Sequence, residues 1–242
     1  MKIKIHNSTY IVLLLSFLSG YFEYMYLFLL IIIIHEIGHV IFGYFVNFKY
    51  STIIIYPFGG LTIYNEELNI NSNKELISLL GGIIFQILFY LLILLLYNNL
   101  FITNHVFMII KKINILLISF NFLPILPLDG GRLLCIILEK IFPYKKSNII
   151  ALIISVIFII IFVLNSKTYL SIILSIFLIK TIIIETNNLK YKYNLFLLER
   201  YLHDYNFKHI KYISSINNIK RDYYHYINYI NEKKVLSSYF SK

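Results

Sequence analysis

The sequence predicts an all-α membrane protein, with about six transmembrane helices, a small membrane-associated β-hairpin and a short cytoplasmic tail. Three observations carry this. Of 242 residues, 59% are hydrophobic and only 14% are charged, well below the charged share of a soluble domain. The apolar residues form separate runs near the ~20 residues that a helix needs to cross a bilayer. The lysines fall between those runs and towards the C-terminal end, where cytoplasmic loops of membrane proteins carry them.

The predicted spans are residues 10–23, 26–46, 76–97, 113–125 with an irregular continuation, 149–164 and 169–184. The opening Met1 to His6, followed at once by an apolar run, has the look of a signal peptide. No A-x-A cleavage pattern follows and a second apolar run begins directly, so the segment reads as an uncleaved first helix. Between the second and third spans, residues 51–64 hold a β-branched run, then Pro57-Phe58-Gly59-Gly60, then a second short β-branched run. That is a hairpin around a glycine-rich turn.

An even number of crossings puts both termini on one side, and Lys2, Lys4 and the lysine-rich end make that side cytoplasmic. Lys145 and Lys146 agree, whereas Lys111 and Lys112 fall outside and depart from the rule. The net charge of +10 follows from this topology and calls for no nucleic acid. The lipid bilayer is the partner that composition demands. From about Thr186 the pattern turns polar, with short apolar repeats at Tyr212-Ile213 and Tyr226-Ile227. The expected organisation is therefore a membrane domain over residues 1–185 and a short cytoplasmic tail over 186–242.

Cys135 is the single cysteine, which excludes a disulfide framework and any multi-cysteine metal site. Metal chemistry must then come from histidine and carboxylate. His35-Glu36-Ile37-Gly38-His39 is an H-E-x-x-H motif in the middle of the second apolar run. Residues four apart share a helix face, so both imidazoles can bind one Zn²⁺ while Glu36, about 100° round the helix, reaches a water on the metal. Ionisable side chains at membrane depth are costly unless paired or metal-bound, which makes a functional site the default reading over a polar cluster between helices.

A catalytic zinc needs a third protein ligand and an open position. Asp129, the only aspartate in the first 203 residues, is the candidate. It lies in Asn121-Phe122-Leu123-Pro124-Ile125-Leu126-Pro127-Leu128-Asp129-Gly130-Gly131-Arg132. Two prolines and two glycines there interrupt a helix, and such backbone survives in a membrane only buried in protein or beside water. The competing reading makes Asp129 an N-cap of the helix that follows, and the two roles are compatible.

With these motifs the sequence resembles the site-2 protease family of intramembrane metalloproteases, in its stage IV sporulation protein FB-like branch. The resemblance rests on His35 to His39, Pro57 to Gly60, and Asn121 to Arg132. It implies Zn²⁺ held by His35, His39 and Asp129, with Glu36 as general base and acid and Asn121 hydrogen-bonded to the substrate backbone. It further implies hydrolysis of a membrane-tethered protein near its cytoplasmic boundary, with a sporulation sigma-factor precursor as the kind of substrate and membrane inhibitor or regulator proteins as partners. Where many members carry Gly-Pro and a nearby Asn on the third core helix, this chain has Gly81-Gly82 and Gln86, which leaves the role of Gln86 open. The residues after Thr186 are too few for the paired nucleotide-sensing module that some relatives append.

A metal-ion transporter is the reading from another class, because ion carriers also place His and carboxylates on broken helices. One isolated cluster supplies no series of sites across a membrane, and Glu36 beside His35 suits a base better than a ligand. An inactive scaffold is disfavoured because every element of the chemistry is present. His6, His105, His203, His209 and His225 have no ligand-spaced partner and are expected at surfaces. Cys135 is expected in packing, and Arg132 at a helix surface.

Overall fold

The computed structural model describes residues 2–48, 50–57, 59–64, 68–165, 169–207 and 209–241. The chain divides into two compact units, residues 1–66 with 74–120 and residues 67–73 with 121–242.

The first unit begins with β1 (Lys2–Ile5), whose Lys-Ile-Lys-Ile alternation has the period of a strand. It pairs in parallel with β2 (Tyr50–Tyr56), which pairs antiparallel with β3 (Gly59–Tyr64), giving the order β1-β2-β3. The last two strands are the predicted hairpin. Between β1 and β2 come α1 (Asn7–Leu18) and α2 (Phe22–Phe45). His6 caps α1 by accepting the amide of Ser8, and the hydroxyl of Thr9 donates to the Ile55 carbonyl at 2.9 Å, which ties the helix to the sheet. After β3 follow α3 (Ser72–Asn98) and α4 (Asn104–Asn121). Leu27, Ile31 and Ile32 of α2, Ile93 of α3, and Phe107, Ile110 and Leu117 of α4 bury one another. Leu88, Leu91, Leu92 and Leu95 of α3 stay exposed, an apolar outer face that suits lipid.

The second unit contains α5 (Asp129–Ile141), α6 (Tyr144–Asn165) and α7 (Tyr169–Leu202). The stretch before α5 folds back on the start of its helix: a Cβ on Gly130 would stand 2.3 Å from the Phe122 carbonyl oxygen, and one on Gly131 2.4 Å from the Ile125 carbonyl carbon. Both glycines are therefore required by close approach of backbone. The Leu126 amide donates to Ser155 Oγ of α6 at 3.0 Å, and the Leu128 amide to the Ile125 carbonyl at 2.8 Å, so the interrupted backbone keeps its partners.

Beyond residue 186, where the sequence pattern turns polar, the chain forms regular elements. α7 continues to Leu202, followed by β4 (His209–Ile213), β5 (Tyr223–Ile227), β6 (Ile230–Asn231) and α8 (Glu232–Phe240). The short apolar repeats of the sequence are cross-strand partners, Tyr212 opposite Tyr226 and Ile213 opposite Ile227 in the parallel pair β4–β5. Tyr193, Phe196 and Leu197 of α7, Tyr144 of α6, Ile219, Ile227 of β5 and Leu236 of α8 form one core. Among the described residues, the charges buried here are paired. Arg200 binds Glu232, the Asn69 side chain and the Tyr223 carbonyl, while Arg221 donates to Glu139 of α5 at 2.7 Å and to the Ile70 carbonyl at 2.8 Å. His225, expected at a surface, is fully buried, because Glu232 and the Lys220 amide satisfy its two ring nitrogens.

Among the described residues, four helices are long and apolar enough to cross a membrane: Phe22–Phe45, Ser72–Asn98, Tyr144–Asn165 and Ser171–Leu202. They correspond to four of the six predicted spans. The other two are α1, whose 12 residues rise about 18 Å against the ~30 Å of a hydrocarbon core, and α4, which carries Lys111 and Lys112.

Candidate metal centre

His35, Glu36 and His39 are buried together in the middle of α2, and their ligand atoms lie within 4.8 Å of one another. One helical turn separates the two imidazoles, which meet edge to face with ring centroids 4.7 Å apart. Their Nε2 atoms face each other at 3.1 Å. Each ring turns its other nitrogen to an acceptor: His35 Nδ1 to Gln86 Oε1 at 3.0 Å, and His39 Nδ1 to the Ser78 carbonyl at 3.1 Å. A carbonyl can only accept, so the Nδ1 atoms carry the protons and both Nε2 lone pairs point at the same place. Two lone pairs at that separation repel unless a cation lies between them. Tetrahedral zinc with Zn–N bonds of about 2.0–2.1 Å would set its nitrogens about 3.3 Å apart. The donor set fits zinc.

Helix α3 builds the back of the site with one face. Ser78, Gly82 and Gln86 follow at intervals of four. Ser78 offers its carbonyl to His39 and donates its hydroxyl to the His39 carbonyl at 3.3 Å. Gly82 leaves room for the rings, since a Cβ there would stand 2.5 Å from His39 Nε2 and 2.8 Å from His35 Cε1. The helices touch backbone to backbone one residue earlier, where a Cβ on Gly81 would lie 2.5 Å from the Gly38 carbonyl oxygen. The sheet contributes as well: a Cβ on Gly60 of β3 would stand 2.3 Å from Glu36 Cγ, so the hairpin lies directly against the carboxylate.

Asp129 and Asn121 belong to the second unit as the structure divides it. Asp129 is the first residue inside α5 rather than its cap; Leu128 holds the cap position and gives no side-chain capping bond. Asn121 is the last residue of α4, at the point where the helix breaks.

Residues 98–164 match the sequence family Peptidase family M50. In that segment the chain is similar to the site-2 proteases. Stage IV sporulation protein FB of Bacillus subtilis is 30% identical over 148 residues, 61% of this chain and 51% of that protein. A zinc metalloprotease of Methanocaldococcus jannaschii is 30% identical over 146 residues, 57% of this chain and 41% of that protein. The chain thus spans about half the length of the curated relatives it matches. The solved site-2 protease from Methanocaldococcus jannaschii superposes with a TM-score of 0.60 at 25% identity, covering 76% of this chain and 89% of that one. Four apolar helices of spanning length among the described residues, with this similarity to a site-2 protease, make this an integral membrane protein.

Sequence reasoning found the three clustered residues, named Gly60, Gly82 and Gln86 without their roles at the site, and missed Ser78. Gly60, Ser78, Gly82 and Gln86 left one usable signal, the four-residue spacing of the last three on α3.

Proposed function

We propose that the chain is an intramembrane zinc endopeptidase that hydrolyses a peptide bond of a membrane-tethered protein near its cytoplasmic boundary. The observation that carries this reading is the pair of Nε2 atoms facing at 3.1 Å with Glu36 beside them. Asp129 is the third zinc ligand in this proposal, as the one aspartate of the membrane part, placed at the start of α5 where the backbone is broken. Zinc, when bound, polarises the scissile carbonyl and lowers the pKa of water so that it attacks at neutral pH.

Glu36 takes the proton of the attacking water and returns it to the leaving amine. Burial between α2 and Gly60 of β3 holds it for that task. Asn121 hydrogen-bonds the substrate backbone. A transmembrane substrate must be unwound before its carbonyl is reachable, and the unwound segment needs a partner for its backbone. β3 supplies one as the outer strand of its sheet, to which an extended segment adds.

Both termini are cytoplasmic in this reading, supported by Lys2, Lys4 and the basic C-terminal part, and residues 186–242 form the cytoplasmic portion beside a membrane protease domain of 1–185. His35 lies ten residues before the end of α2, about 15 Å along the helix, which is within the hydrocarbon layer. Similarity to stage IV sporulation protein FB supports a sigma-factor precursor of sporulation as the substrate, with membrane proteins as regulators.

The test is to reconstitute the chain with a membrane-tethered precursor and map the cut by mass spectrometry. Cleavage that Glu36→Gln abolishes while zinc is retained supports the protease. Metal flux into vesicles without cleavage would instead support a transporter.

A further inference from the structure

The two zinc-facing imidazoles are held from behind in different ways. At Nδ1, His39 leans on a main-chain carbonyl, which no substitution removes, whereas His35 leans on a side chain, the fully buried Gln86. We propose that Gln86, oriented by the main chain of Asn114, is a positioning residue that fixes His35 as the tautomer protonated on Nδ1 and so keeps its Nε2 lone pair turned to the metal. The inference rests on the zinc reading of this site.

A glutamine amide can present either its oxygen or its nitrogen, and the two look alike by shape. Its second contact decides. Gln86 Nε2 lies 3.3 Å from the Asn114 carbonyl oxygen of α4, which only accepts. Turning the amide over would set two carbonyl oxygens against each other and offer His35 an N–H instead. The nitrogen therefore belongs on the Asn114 side, and Oε1 faces His35 Nδ1. An oxygen there requires the imidazole to donate, so His35 keeps its proton on Nδ1.

The remaining groups reinforce this. Asn114 Oδ1 is a buried acceptor to which no described residue donates. Ser78 O stands behind His39, and Gln86 Oε1, backed by Asn114 O, stands behind His35, so each ring has a neutral acceptor at its Nδ1. Acceptors behind metal-bound histidines raise the basicity of the ligating nitrogen. A neutral amide does this at membrane depth without the cost of burying a second carboxylate. Gln86 also shares the α3 face with Ser78 and Gly82, so one helix supplies the carbonyl for one ring, the room for both, and the amide for the other.

The test uses the purified full chain with Gln86→Leu and Gln86→Glu. Zinc affinity is measured by chelator competition, and the His35 tautomer by ¹⁵N spectra of histidine-labelled protein in the metal-free state. Gln86→Leu is expected to weaken zinc about 10–100-fold and to replace the single Nδ1–H form of His35 by a mixture. Gln86→Glu, which still accepts from Nδ1, is expected to keep parental affinity or exceed it. If Gln86→Leu does not fold, Gln86→Glu decides: a folded protein with weakened zinc overturns the proposal. Parental affinity and an unchanged tautomer in folded Gln86→Leu overturn it too. A parent chain that binds no zinc would refute the zinc reading itself, which is a distinguishable result.

Discussion

Glu36 and Gly60 are in contact because Gly60 has no side chain: a Cβ there would lie 2.3 Å from Glu36 Cγ and 2.4 Å from its carboxyl carbon. Gly60→Val should therefore push the carboxylate off its position while leaving the two imidazoles in place. Misplacing a catalytic group by about 1 Å costs on the order of 100-fold in rate. The expected outcome is a kcat reduced to that extent with zinc content unchanged, measured on one tethered substrate. Loss of zinc together with activity would show that the hairpin supports the whole centre instead.

Metal content separates ligands from neighbours. Purified protein should hold about one zinc per chain, and His35→Ala, His39→Ala or Asp129→Ala should each lower that occupancy, three protein ligands being the usual catalytic number. Full occupancy in Asp129→Ala would remove Asp129 from the ligand set. Gly82→Leu should also lower occupancy, because its side chain would enter the space of both rings.

Arg221 and Glu139 form an ion pair with almost no exposed side-chain surface. Arg221→Met leaves a buried carboxylate without its cation and should destabilise the second unit by about 3–5 kcal/mol. Adding Glu139→Leu should restore much of that loss, because an apolar pair replaces the ions. Thermal unfolding in detergent reads both variants, and a double variant no better than the single one would show that the pair acts beyond its charges.

Acid should loosen the C-terminal sheet before the membrane helices. Burial pushes His225 below the ordinary imidazole value, outweighing its bond to Glu232. Burial would raise Glu232, but hydrogen bonds from His225 and Arg200 outweigh it and hold the carboxyl below its ordinary value. The unfolded chain takes up a proton on His225 near pH 6.5, the folded chain only at lower pH, so in that window the unfolded state binds more protons and stability rises with pH. The contribution of Glu232 is complete above its ordinary 4.5 and is lost as pH falls through its lowered value. Hydrogen-exchange protection over residues 209–231, measured relative to the intrinsic rate at each pH, should fall between about pH 7 and 5, and His225→Asn should flatten that slope.

The legible parts of this molecule were those in which spacing alone decides geometry. His35, Glu36 and His39 needed only the helical repeat, and the hairpin needed only two β-branched runs with glycines between them. Gly81-Gly82 could be read as a site of close helix approach, and α2 and α3 do meet there. β1 escaped notice because four residues of alternation before a long apolar run carry little signal, although that alternation was its mark. The C-terminal fold was hidden for another reason. Tyr193, Phe196 and Leu197 have helical spacing but sit among lysines and asparagines, and their partners Ile219, Ile227 and Leu236 are distant in sequence. Gln86 could not be assigned from sequence because its role depends on which atoms face its two ends, and only Asn114 fixes that.

Helix α7 runs unbroken for 34 residues, about 51 Å, whereas a hydrocarbon core takes about 30 Å. The surplus of roughly 20 Å ends inside the packed C-terminal sheet, with Phe196, Leu197 and Arg200 as its anchorage. Mechanically this is a lever and not a leash. A flexible linker would absorb a tug on the sheet, but a continuous helix passes torque and tilt along its axis, so a load applied at the sheet is felt among the apolar residues at the other end of the same helix.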